Sequence, residues 1–181
     1  MSQDDGITGL DVSALRLIYY PDPRLKEICT AVQDPADRAV RRLLERMWEL
    51  IVRHKGVGLA GPQVGVTARL FVTSPTCQSG DLHAYINPRI ISTEGSQDEP
   101  EGCLSFPGIC CKVKRKSIVT IRALDRDGRE FERTGEELLA RIFQHETDHL
   151  DGTLLVDRMG SVARLANRRA LRELEESAVG E

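Results

Sequence analysis

The sequence contains no run of 18 apolar residues, so it offers no transmembrane helix. It has no excess of charge of one sign. With 25 Lys and Arg against 28 Asp and Glu, the formal net charge is −3, which gives no global field directed at DNA or an anionic membrane. The first 25 residues lack both the basic start and the apolar stretch of a signal peptide. They also carry acids, which an Arg-rich transit peptide avoids. These absences point to the cytoplasm. No CxxC pair occurs among Cys29, Cys77, Cys103, Cys110 and Cys111, which argues against a zinc finger or ribbon. An odd cysteine count without a secretion signal points to free thiols, not a disulfide framework.

The 181 residues are 40% apolar and 29% charged, the composition of a soluble globular protein with one core. A single domain over residues 1–181 is expected, with residues 1–13 as a loose, polar arm. The two prolines of "YPDPRL" (20–25) read as a turn. From Pro35 to His54, apolar residues recur at Val40, Leu43, Leu44, Met47, Leu50 and Ile51, the spacing of an amphipathic helix with Pro35 in its first turn. "GVGLAGPQVGV" (56–66) is too rich in Gly and Pro for either regular element and reads as a loop or strand-edge segment. Strands are expected at 69–74, 82–91, 117–125 and 130–133, the last two joined by a hairpin at "RDGR". A second helix is expected from a Thr134 cap, through Leu138, Leu139, Ile142 and Phe143, to Asp151–Gly152. A last helix is expected over 160–177. The fold class is therefore α+β: antiparallel sheets packed around the 134–150 helix, with one helix near the N-terminus and one at the C-terminus.

The 134–150 helix ends in "QHETDHL" (144–150). Residues i and i+4 share a helix face, so His145 and His149 can present two imidazoles to one cation. The order H-E-x-x-H places Glu146 beside that cation as a possible base. Two solvated or core histidines are the plain alternative. The metzincin pattern would put a third His where Leu155 stands. A thermolysin-like site would use a downstream Glu, and Glu173, Glu175 and Glu176 lie in a charge-rich helix where solvation is the simpler reading. Among the cysteines, Cys103 lies in "EGCLSFPG". Its thiolate would complete a Cys-His-His set with a fourth position for water, whereas taken alone it reads more readily as a buried apolar cysteine.

Three segments, "GVGLAGPQ" (56–63), "EGCLS" (101–105) and "QHETDHL" (144–150), resemble in type and order the signature segments of the peptide deformylases. The likeness runs from the "PDPRL" region to near the C-terminus. Gly61, where the family usually has a second alanine, is the one departure and bears on the loop's rigidity. The short spacing of the first two segments and a helical C-terminus are similar to the bacterial type I branch.

The resemblance implies a hydrolase that removes the N-formyl group from formyl-methionyl peptides of nascent chains. It implies one divalent ion on Cys103, His145 and His149, ferrous iron in the cell, with zinc or nickel able to occupy the site. Glu146 is implied as the proton-transfer residue. Gln63 and the Leu104 backbone N–H are implied as oxyanion donors. The glycines Gly56 and Gly58 would let a peptide add as a strand along 56–59, and Val57, Leu138 and Ile142 would wall an apolar pocket. Glu101 is expected to pair with Arg115, and Asp148 to bond a ligand or a helix neighbour. Trp48 and His54 read as core and helix-end residues, His83 as structural or exposed, and Cys110 and Cys111 as packing. The Arg164, Arg168, Arg169 and Arg172 face of the last helix reads first as a solvated charged face; by likeness to bacterial relatives it would instead meet ribosomal RNA. The rival readings are a metallo-endopeptidase and a non-catalytic metal-binding protein.

Overall fold

The computed structural model describes residues 7, 9–76 and 80–178; Cys77 and residues 1–6 lie outside them. Among the described residues seven strands form two antiparallel sheets. The larger has the order β1-β2-β3-β6-β7, built from β1 (Gly58–Ala60), β2 (Leu70–Thr73), β3 (His83–Glu94), β6 (Ile118–Leu124) and β7 (Glu130–Glu136). The smaller pairs β4 (Gln97–Gly102) with β5 (Cys110–Arg115).

Strand β2 shows why the large sheet needs a helix on each face. All four of its residues are buried. Successive side chains point to opposite faces. Leu70 and Val72 join Leu43, Met47 and Ile51 of α1 (Arg38–Arg53) in one core. Phe71 joins Tyr85, Val119, Ala140 and Phe143 on the other side. The last two belong to α2 (Glu137–Leu150), the helix that carries "QHETDHL". A third core, with Phe106, Ile109, Val113 and Leu154, seats the small sheet against the C-terminal segment.

The α+β class, α1, α2, strands β2, β3, β6 and β7 of the large sheet and the Asp125–Arg129 hairpin agree with the expectation. Several details differ. Helix α1 starts at Arg38, not Pro35, because Asp37 caps it by accepting from Ala39 N–H at 2.6 Å. Thr134 is no cap. Strand β7 continues to Glu136, and the Thr134 hydroxyl meets that of Thr120 at 2.9 Å. Gly135 allows the tight strand-to-helix turn there, since a Cβ would approach Leu139 and Phe143 within 3 Å. The "GVGLAGPQ" segment is an edge strand, β1, followed by a 3-10 turn over Gly61–Val64. The C-terminal segment is three helices, α3 (Leu155–Arg158), α4 (Ser161–Ala166) and α5 (Arg168–Ala178). Asn167 separates the last two, its side-chain amide donating back to Ala163 O at 2.9 Å. Within the expected loose arm, Ile7 is buried against α1, and just after it Arg46 clamps Leu15 O. No described helix is long and apolar enough to cross a membrane.

Candidate metal centre

Helix α2 meets the mouth of the small sheet. His145, Glu146 and His149 are all buried there, and the two imidazole centroids lie 4.9 Å apart, as i,i+4 spacing requires. Cys103 follows the last residue of β4. A turn fixes it, with Phe106 N–H donating to Cys103 O at 2.9 Å. The Cys103 Sγ lies 3.3 Å from His149 Nε2. Ligand atoms of Cys103, His145 and His149 all fall within 4.8 Å of one another. Zn–S and Zn–N bonds of ~2.0–2.3 Å are compatible with separations of this size. These donors therefore fit one cation, as the sequence alone left open. Cys110 and Cys111 do not join them: Cys110 is exposed and Cys111 is buried in the small-sheet core.

The ring of His145 is oriented by Glu101. Its Nδ1 meets Glu101 Oε1 at 2.7 Å, which leaves Nε2 for the cation. Glu101 is buried, and burial alone would raise its pKa. Hydrogen bonds from His145 and Arg115 outweigh that cost and hold the carboxyl well below the ordinary range. The Glu101–Arg115 pair is thus a buried two-point bridge, at 2.7 and 3.1 Å, and not a surface ion pair. Arg115 also donates to Asp148 at 2.6 Å, and Asp148 accepts from Arg158 on α3. Asp148 therefore braces helices and does not orient a ligand; His149 Nδ1 has no hydrogen-bond partner among the described residues. Burial drives the His149 pKa well down, with the neighbouring His145 charge next, so its ring is neutral and available for ligation. For His145 burial opposes charge, yet Cys103 and Glu101 raise its pKa well above the usual value. The surroundings that hold a proton there equally favour a metal cation.

Glu146 faces the same space. Burial pushes its carboxyl up to about 7, and its Oε2 is buried with no hydrogen-bond partner among the described residues. Gly58 packs directly on it: a Cβ at that position would stand 2.2 Å from Glu146 Oε1. Gln63 is buried, and its amide orientation is fixed. Ala60 N–H must donate, so Oε1 accepts it at 2.8 Å. Nε2 then points to Cys103 Sγ at 3.4 Å and Ser105 Oγ at 3.3 Å. Gly61 is buried, and a Cβ would lie 2.8 Å from the carbonyl oxygens of Val66 and Ala68. The glycine permits close packing here and does not loosen the loop.

One cavity of about 560 Å³ brings together Gly56, Val57, Gly58, Gln63, Cys103, Leu104, Leu138, Ile142, His145 and Glu146. Every sequence-derived site residue except His149 lines it. His149 is only 1% exposed and lies behind the others. Ile142 is a buried wall, whereas Leu138 is half exposed. Beside the cavity β1 ends the sheet, paired among the described residues with β2 alone, so its outer edge suits an added strand. The sequence reading missed Arg141, which lines the cavity and donates to Glu101 at 2.9 Å. A signal existed: it stands one helical turn before His145, a charged residue on a buried face. Trp48 is half buried against the α1 core, His54 ends α1, and His83 pairs with Asp81 at 3.0 Å, all away from this cavity.

The family model described as "Polypeptide deformylase" matches residues 14–165. The peptide deformylase of Acidobacterium capsulatum is 42% identical over 161 residues, which cover 88% of this chain and 94% of that protein. That of Thermodesulfovibrio yellowstonii is 42% identical over 155 residues, 84% of this chain and 93% of the relative. The crystal structure of a peptide deformylase from Legionella pneumophila superposes with a TM-score of 0.84 at 38% identity, covering 92% of this chain and 98% of that one. A plant peptide deformylase superposes with a TM-score of 0.88 at 36% identity, covering 92% and 91%. With the match extending through both sheets and all three signature segments, the chain belongs to the polypeptide deformylase family.

Proposed function

We propose that the chain hydrolyses the N-formyl group from the formyl-methionyl start of newly made polypeptides, releasing formate. The observation that carries this reading is the meeting of one thiol, two imidazoles, a buried carboxyl and a fixed amide donor in one cavity. Cys103, His145 and His149 would hold one divalent ion, which when bound supplies Lewis acidity that makes water a stronger acid and a carbonyl a better electrophile. A set of one sulfur and two nitrogens accepts iron, nickel and zinc; ferrous iron is our assignment in the cell, with zinc or nickel in purified protein.

The remaining steps belong to the chain's own groups. Glu146 takes a proton from the attacking water and passes it to the departing amine nitrogen as the C–N bond breaks. A carboxyl raised toward neutrality suits both transfers. Gln63 Nε2 donates to the developing oxyanion with the Leu104 N–H, which meets no acceptor among the described residues. Gly56, Val57 and Gly58, which lead into the edge strand β1, line the path for the substrate backbone, while Val57, Leu138 and Ile142 enclose its first side chain. Recognition through main-chain bonds tolerates varied downstream sequences, which suits an enzyme of nascent chains in the cytoplasm.

Formate release from formyl-Met-Ala-Ser tests this reading. Cleavage of internal peptide bonds without formate release would favour the endopeptidase instead. Gln63→Glu keeps an acceptor for Ala60 N–H but loses the donor; it is expected to lower kcat by about 10²–10³-fold with metal content unchanged. Exposed Arg168 and Arg172 on α5 support a ribosome contact. Exchanging both for Ser should weaken co-sedimentation with ribosomes at low salt; undiminished binding counts against the contact.

A further inference from the structure

The metal donors come from two separate elements. His145 and His149 lie on α2, and Cys103 follows β4. Their meeting depends on how the helix sits against the small sheet, and Arg141 joins the Arg115–Asp148 and Glu101–His145 contacts in spanning that joint. Arg141, buried on α2, donates through Nη1 to Glu101 Oε2 at 2.9 Å and to Val113 O at 3.0 Å, and through Nη2 to Gln97 Oε1 at 3.1 Å. Gln97 and Glu101 belong to β4 and Val113 to β5. The Gln97 amide in turn donates to Glu137 O, at the first residue of α2, and to Lys116 O, both at 2.9 Å.

We propose that Arg141 is a positioning residue for the metal centre. It stitches α2 to both strands of the small sheet and orients Glu101 so that this carboxylate holds His145. The inference rests on the reading that Cys103, His145 and His149 carry the ion. Arg115 grips Glu101 from the β5 side through a two-point fork. That fork sets the plane of the carboxylate from the small sheet but does not by itself tie it to the stretch of α2 one turn before His145. The Arg141 contact comes from the helix that bears the imidazoles. It fixes Oε2, leaving Oε1 directed at His145 Nδ1. Arg141 also lines the substrate cavity, with its guanidinium paired to Glu101.

The test is metal release, read apart from turnover. Wild-type protein, Arg141→Met and Arg141→Lys are each loaded with one equivalent of Co²⁺, and loss of the thiolate-to-cobalt absorption is timed after adding excess chelator. Methionine keeps an apolar stem of similar length without donors; lysine keeps a donor and the charge. Arg141→Met is expected to lose metal about 10–100-fold faster, as when groups bracing metal ligands are removed, and Arg141→Lys to recover part of that loss. Wild-type release rates in Arg141→Met, or equal impairment in both variants, would overturn the proposal. Should Arg141→Met lack a cooperative thermal transition, Gln97→Leu decides: several-fold faster release supports the stitch, and an unchanged rate overturns it. Failure of the wild-type protein to bind cobalt would instead refute the metal reading beneath it.

Discussion

Replacing Glu146 with Gln is expected to lower kcat/KM on a formyl-methionyl peptide by about 10²–10⁴-fold, with metal content unchanged. The substitution is nearly isosteric, so the contact with Gly58 persists. Glu146 is not one of the three grouped donors, so the cation should stay. What disappears is a group able to take a proton. Burial is what brings that carboxyl up to about 7, and Gln has no charged form to tune. Metal analysis alongside a formate-release assay separates the outcomes. A variant that binds metal and turns over at the wild-type rate would leave Glu146 without a role. It would also revive the non-catalytic metal-binding reading.

The second large effect falls on stability. Arg115→Met should destabilise the fold by about 3 kcal/mol, the lower end for removing one partner of a buried ion pair. The lower end applies because Glu101 keeps Arg141 and His145, and Asp148 keeps Arg158. The pH dependence has a definite sign. Glu101 is depressed in the folded state, so its contribution is present above its ordinary value near 4.5 and is lost as pH falls below that value. Without Arg115 less of that stabilisation exists, and acid unfolding should begin at a higher pH than in the wild type. Urea titrations at neutral pH and at pH 4 check both statements; equal midpoints for variant and wild type would show that the network adds nothing.

Much of this site was legible because its parts are local in sequence. His145, Glu146 and His149 lie within five residues, and helical spacing alone groups them. Cys103 required the resemblance, since nothing in its own surroundings distinguishes a ligand from a packed thiol. The small sheet escaped the sequence reading for a physical reason. Strand β4, "QDEPEG", carries acids and a proline and reads as loop; proline is tolerated there because the strand lies at an edge. In β5 the buried positions are Cys111, Val113 and Arg115, so a charge occupies a core position and breaks the apolar alternation. The guanidinium is buried because Glu101 and Asp148 neutralise it, and those partners are 14 and 33 residues away in sequence. Thr134 misled for the opposite reason: a good helix cap is also a good strand residue, and cross-strand pairing with Thr120 decided between them.

X-ray absorption at the metal edge of protein purified without oxygen tests the central claim most directly. The account predicts one divalent ion per chain, with one sulfur at ~2.3 Å and two imidazole nitrogens at ~2.0–2.1 Å. An active protein whose metal shell contains no sulfur would contradict it.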